Sequence, residues 1–369
     1  MNCKFEELPV VNKSIIKTGG DDFVAQSWLG KPLHRETTSG STGTPFAVLQ
    51  DPGKRLHAQA DLLVCSDLAG FHFGTRLYYI RVWNHLNKKS KLKTLLANMV
   101  MQSGDNLSDE SLEDFLKKLE NDQQEKSILA YASSITALYQ WMKRTGRKTT
   151  AKVACFITMS ESFPDDVRQG IKNLFGCPVV SRYSNQECGL ISQQCKLGTE
   201  YHINTASFYV EILDLEKDIP VEDGKLGRIV VTDLYNKAMP MIRYDTGDLG
   251  VMSHECECGI HGKVLKRVEG RRVDFITATN GDLLSPITII NAMWEYSDLL
   301  QWQFIQHAPR EFEMKINCTT DTYHRETEML KMIRSYVGED AEIKVTYVTE
   351  IPLLASGKRK SVLNLMLSL

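Results

Sequence analysis

The stretch Thr37-Thr38-Ser39-Gly40-Ser41-Thr42-Gly43-Thr44-Pro45-Phe46 gathers hydroxyls and glycines in a form suited to phosphate oxygens. Gly40 and Gly43 let the backbone turn its N–H groups inward. The short side chains of Thr38, Ser39, Ser41, Thr42 and Thr44 can donate to oxyanions with little entropy to lose. The Gly-Lys-Ser/Thr ending of a Walker A loop is missing. Pro45 withholds a donor and Phe46-Ala47-Val48-Leu49-Gln50 reads as a strand, so the loop is expected to join two strands rather than a strand and a helix. Taken alone, a Ser/Thr/Gly surface linker fits as well. A second set, Cys195, His202, Cys256 and Cys258, offers three thiols and one imidazole of the kind zinc accepts in a closed structural site. Its competitors are His254 and His261 as ligands, or plain buried thiols and surface imidazoles.

Three further stretches follow the cradle in order: Arg182-Tyr183-Ser184-Asn185-Gln186-Glu187-Cys188-Gly189, Arg243-Tyr244-Asp245-Thr246-Gly247-Asp248-Leu249 and Pro352-Leu353-Leu354-Ala355-Ser356-Gly357-Lys358, with Gly270-Arg271 between the last two. The set resembles the adenylate-forming (acyl-activating, AMP-binding) enzymes. It is most similar to their phenylacetate-CoA ligase branch, which includes proteins encoded with capsular-polysaccharide genes. The resemblance runs from Glu7 to Lys358. Relatives carry several tens of residues before this point, so a shortened first lobe is expected here.

The resemblance implies a protein that activates a carboxylic acid with ATP and magnesium. Thr38 to Thr44 would hold the β- and γ-phosphates, and Ser160, Glu161, Arg182, Tyr183 and Ser184 would complete the nucleotide site. Glu187 would be the magnesium ligand, a hard carboxylate of the type that ion takes; an exposed loop glutamate is the plainer reading. Tyr183 would flank the adenine, or be a core tyrosine. Asp248 would accept from the ribose hydroxyls, or shape a turn. Arg271 would reach ribose or phosphate with its fork of donors. Arg182 stands where relatives differ and would either pair locally or face the acid. Lys358 would bring one positive charge to the α-phosphate from a mobile small domain, unless it is simply solvated. The acid pocket would take Phe156, Met159 and Tyr183, with Trp83 and Tyr131 as additions. In the same branch, positions like Cys195, His202, Cys256 and Cys258 are associated with a structural metal.

The acyl acceptor implied first is coenzyme A. An amine or hydroxyl of a sugar or another cofactor is the second reading, and a nucleotide-binding protein without turnover is a third of another class. The sequence separates neither these nor the acid, and a homodimer stays open.

The elements that must position these residues alternate. A helix is expected over Arg55 to Leu68, with Leu56, Ala60, Leu63, Val64 and Leu68 on one face. Ser108 caps another through Glu120, with a core stripe of Leu112, Phe115, Leu116 and Leu119. Strand and helix then alternate to Tyr183, which favours a mainly parallel sheet with ligands beyond its carboxyl ends. The expected class is α/β: a large N-terminal domain (residues 1–271) with a mainly parallel sheet and helices plus a small antiparallel β subdomain, then a small α+β C-terminal domain (272–369). With 369 residues, 42% of them hydrophobic, the chain can build a large core. A net charge of -2 and the lone basic run Lys88-Lys89-Ser90-Lys91-Leu92-Lys93 give no nucleic-acid face. There is no membrane-length apolar run or signal segment. Nine cysteines without framework spacing point to reduced thiols and the cytoplasm.

Overall fold

The structure is a computed structural model that describes residues 4–38, 46–83, 88–104, 106–160, 163–271, 275–284, 286–296, 298–352 and 360–366. A short strand β1 (Val11–Asn12) and helix α1 (Lys13–Gly19) precede an antiparallel hairpin, β2 (His34–Thr38) and β3 (Phe46–Gln50). Helix α2 (Pro52–Ala69) follows at once, because Asp51 caps it through the N–H groups of Gly53 and Lys54 and Pro52 supplies a preset first turn. It is a turn longer than the sequence expectation.

Strand and helix then alternate as β4 (Arg76–Arg81), α3 (Lys91–Leu96), β5 (Met99–Ser103), α4 (Asp109–Asn121), β6 (Lys126–Tyr131), α5 (Ala132–Thr145), β7 (Phe156–Met159), α6 (Asp165–Phe175) and β8 (Val179–Asn185). The strands pair in parallel in the order β5-β4-β6-β7-β8. One face carries the deep core: Leu112, Phe115, Leu116 and Leu119 of α4, Ile135, Leu138 and Trp141 of α5, and Val167 and Ile171 of α6 pack on Tyr78, Ile128, Phe156 and Val179. Each such side chain contributes about 1.5–3 kcal/mol on leaving water. Helix α2 covers the opposite face, where the buried apolar cluster shrinks to Ala69, Cys155, Ile157 and Val180. Here the structure departs from simple amphipathicity. The apolar stripe of α2 points to solvent, with Leu56 67% and Val64 60% exposed.

A tight turn after β8 reverses the chain into β9 (Gly189–Gln194), and β10 (Tyr201–Ile203), β11 (Phe208–Leu213), β12 (Leu226–Asp233), β13 (Tyr244–Ser253) and β14 (Val264–Arg271) extend the sheet antiparallel. The small antiparallel part is therefore not a detached sheet. It is hydrogen-bonded onto the parallel strands, and with β1 joined in parallel to β13 the sheet has 12 strands among the described residues. Arg243, buried and at φ 46°, binds both Glu211 carboxylate oxygens and donates to the carbonyls of Glu6 and Leu8.

Beyond it lie β15 (Ile276–Thr277), β16 (Leu283–Leu284), α7 (Pro286–Ala292), β17 (Gln301–Gln306), β18 (Glu311–Asn317), α8 (Glu326–Val337), β19 (Glu342–Tyr347) and β20 (Val362–Asn364). The small C-terminal sheet runs β19-β18-β17-β20 and shares one core with α7 and α8, built on Phe304, Phe312, Met314, Ile289, Met329 and Ile333. Among the described residues, no helix is long and apolar enough to cross a membrane.

Candidate active site

The turn between β8 and β9 is closed by Asn185, whose Oδ1 accepts from the Cys188 N–H at 2.7 Å. That closure carries Glu187 inward to 8% exposure, so it is not an exposed loop glutamate. The Tyr244 hydroxyl at the start of β13 lies 3.4 Å from Glu187 Oε1. Burial first, and then the Glu187 charge, push the Tyr244 hydroxyl far above its ordinary pKa, so it remains a donor.

Tyr183 leaves the same hairpin toward β13 and donates to Asp248 Oδ2 at 2.8 Å, with Thr246 Oγ1 at 3.2 Å. Burial and Asp248 likewise hold this phenol well above its usual pKa. Asp248 reaches this place through a bulge. Arg228 pairs with Leu249 and Val230 with Asp245, so residues 246–248 stand opposite Ile229 alone. Gly247 meets the bend with φ 77°, and the Thr246 hydroxyl donates to the Ile229 carbonyl at 2.9 Å. Arg271 stands directly across from Asp248 in the β13–β14 register.

The β2–β3 hairpin is docked on this group, since Phe46 and Val48 share one buried cluster with Tyr183, Cys188 and Tyr244. Thr38 and Phe46 face each other as the last ladder pair, so strands flank the cradle on both sides. Ser39, Gly40, Ser41, Thr42, Gly43 and Thr44 themselves lie outside the described residues, as do Glu161 and Lys358. Behind the hairpin, Asp51 Oδ2 accepts from the Lys237 N–H at 2.8 Å. Burial alone would raise the Asp51 pKa; the N–H groups of Lys237, Lys54, Gly53 and Ala238 outweigh that and hold it below the usual carboxylate value.

Lys54 and Asp233 form an ion pair at 2.7 Å with both side chains fully buried, and Lys54 Nζ also lies 4.6 Å from the centre of the Phe208 ring. The contact lacks hydrogen-bond directionality. Sequence reasoning missed both residues, because a lysine in the first turn of a helix reads as solvated. Asp51 was findable from Asp-Pro-Gly at a helix start.

At the carboxyl ends of the parallel strands, Tyr131, Met159 and Arg182 stand in one row across β6, β7 and β8. Ser160 follows with φ 71°, a left-handed conformation that a serine adopts at a cost. Arg182 turns to the face opposite Tyr183 and donates to Gln193 Oε1 at 2.9 Å and Ser66 Oγ at 3.1 Å. It reaches α2 rather than the Tyr183–Asp248 group. Ser184 is exposed. Phe156 is fully buried near the far end of β7 against Phe175, in the core rather than among the strand ends. Trp83 donates to the Gln102 carbonyl at 2.9 Å and meets Tyr79 edge-on.

Across the sheet, Cys195 follows β9, His202 lies on β10, and Cys256 and Cys258 lie in the β13–β14 connection. Their four ligand atoms fall within 4.8 Å of one another, with Cys195 Sγ 3.7 Å from Cys256 Sγ and His202 Nε2 3.2 Å from Cys258 Sγ. Two thiolates on tetrahedral zinc at about 2.3 Å stand roughly 3.8 Å apart, so the donor set and spacing fit that ion. Burial lowers the His202 pKa, which favours the neutral imidazole a metal requires.

Residues 276–365 match the CapK C-terminal domain. Over 374 aligned residues the chain is 21% identical to Protein CapK of Staphylococcus aureus, covering 98% of this chain and 80% of that protein. Phenylacetate-coenzyme A ligase of Thermus thermophilus is 37% identical over 76 residues, 20% of this chain and 17% of the ligase. Among solved structures, 2-hydroxyisobutyryl-CoA ligase in the postadenylation state with R3-HIB-AMP superimposes with a TM-score of 0.71 at 17% identity, covering 98% of this chain and 80% of that one.

Proposed function

From the premise that the chain is an adenylate-forming, acyl-CoA-ligase-like protein in sequence and fold, we propose that it couples a carboxylic acid to ATP and then transfers the acyl group to coenzyme A. The observation that carries this reading is the convergence of Glu187, Tyr183, Asp248 and Tyr244 beneath the hairpin whose strands flank the hydroxyl-rich loop.

In the first half-reaction a carboxylate oxygen of the acid attacks the α-phosphorus, an acyl-AMP forms and pyrophosphate leaves. In the second, the thiol sulfur attacks the acyl carbon, AMP departs and the thiol proton passes to solvent. Thr38 to Thr44 hold the β- and γ-phosphates in this reading, with Ser160, Glu161 and Ser184 bordering the nucleotide. Asp248 accepts from ribose hydroxyls, kept in place by Tyr183 and the bulge at Gly247. Arg271 serves ribose or phosphate. Glu187 supplies the hard oxygen for magnesium, which would offset phosphate charge when bound. Residues 1–271 form the adenylation unit, and residues 272–369 carry Lys358 to the α-phosphate. Met159, Tyr131 and Trp83 border the acid, while Arg182 positions α2. Cys195, His202, Cys256 and Cys258 would hold a structural zinc, which would tie β9 and β10 to the β13–β14 connection when bound. Thiols and ATP chemistry of this kind suit the cytoplasm.

A second acceptor, an amine or hydroxyl on a sugar, is kept beside coenzyme A. ATP–pyrophosphate exchange with magnesium, run over aromatic, short-chain, fatty and amino acids without acceptor, tests the first half-reaction. Acid-dependent exchange that falls at least about 100-fold in Lys358→Ala and Glu187→Gln is the expected result. ATP binding without exchange for any acid would favour a non-catalytic nucleotide-binding protein.

A further inference from the structure

Helix α2 is built inside out. Its sheet-facing side carries Lys54 paired with Asp233, His57 stacked on Tyr235 at 3.4 Å, Asp61 accepting from Ser207 Oγ at 2.9 Å, Ser66 bound by Arg182, and the Cys65 carbonyl bound by the Gln193 amide. These polar contacts fix which side faces the sheet, so the apolar stripe cannot turn inward without breaking them. Leu56, Ala60, Leu63, Val64 and Leu68 stand in solvent, with Leu62 at the margin.

We propose that this face is the contact between two copies of the chain, packed about a two-fold axis. Two observations select a second copy as the occupant. The first is spacing. Leu56, Ala60, Val64 and Leu68 form an unbroken i, i+4 ridge, the element that interdigitates when two helices pack ridge into groove. The ridge reads alike from either end, so in an antiparallel pair Leu56 of one copy meets Leu68 of the other and Ala60 meets Val64. Such self-complementarity is what an isologous interface requires. The second is area. The exposed parts of these six side chains amount to on the order of 500 Å² of apolar surface, and a standard interface of about 800 Å² per partner at about 57% apolar needs roughly 450 Å².

Light scattering coupled to gel filtration over a dilution series reads the assembly directly. The expected result is a dimer that dissociates on dilution and becomes a monomer at all concentrations in Leu56→Glu/Val64→Glu, while Ile219→Glu, an exposed apolar position on the β11–β12 connection, leaves it dimeric. Carbene footprinting of the unaltered protein gives a second readout that needs no variant. Leu56 and Leu63 should be protected when concentrated and labelled when dilute. A wild-type monomer throughout, a dimer that survives the double substitution, or protection that does not change with concentration would each overturn the proposal, the last by assigning the cover to the same polypeptide.

Discussion

Helices α2 and α4 each carry an apolar stripe at helical spacing, weakly segregated on α2 and sharply on α4, and the two stripes end in opposite environments. On α4, Leu112, Phe115, Leu116 and Leu119 are all buried, while Glu113 and Glu120 on its other side share Arg147. On α2, the stripe from Leu56 to Leu68 lies in water and the polar side is enclosed. What differs is the chemistry opposite each stripe. The back of α4 carries charges that pair at the surface, where they stay solvated. The back of α2 carries Lys54, Asp61 and Ser66, each of which has a partner on the sheet or, for Asp61, in the turn that leads into β11. A stripe announces that a helix has an apolar neighbour; the opposite side decides whether that neighbour belongs to the same fold.

Removing one member of the buried pair should strike hardest at this contrast. Lys54→Ala leaves Asp233 charged, enclosed and without its cation, and should cost about 3–5 kcal/mol in urea unfolding. A loss below about 1 kcal/mol would mean that the polar side of α2 does not hold it to the sheet. Leu116→Ala, at a fully buried position on α4, should cost roughly 3 kcal/mol by the same measurement, through lost transfer energy and the cavity left behind.

Asp51→Ala removes the cap of α2 and should cost about 1–2 kcal/mol. The folded pKa of Asp51 lies below the ordinary aspartate value of 3.8, so its contribution is present above that pH and drains away as pH falls through the folded value. Unfolding curves of the wild type and the Ala variant should therefore converge in acid, and a gap that persists there would assign the effect to something other than the carboxylate. The smallest effect belongs to Leu63→Glu, which should change the unfolding free energy of the diluted protein by no more than about 0.5 kcal/mol. The same change at Leu116 would unfold it.

Much of the architecture was legible because it is local. Ser108 capping α4, Gly146 and Gly176 ending α5 and α6 with positive φ, and the strand–helix alternation all act within a few residues of themselves. The motifs pointed to Glu187, Tyr183 and Asp248, yet not to the bond between Tyr183 and Asp248, which spans 65 residues. The outward stripe of α2 was illegible for the same reason, since Asp233 lies far down the chain and no periodicity carries its position. Likewise Arg182 gave no sign that it would turn to Ser66, 116 residues earlier.

The buried Arg243 also sets a schedule. Its guanidinium holds the carbonyls of Glu6 and Leu8, which precede it by 237 and 235 residues, and β1 pairs with the two residues that follow it. During synthesis at about 5–20 residues per second, the segment around Val11 therefore waits on the order of 10–50 s for the strand it joins. The parallel strands β4 to β8 have all been made by then, so β1 can join β13 only after them, while β14, which ties β13 to the rest of the sheet, is still to come.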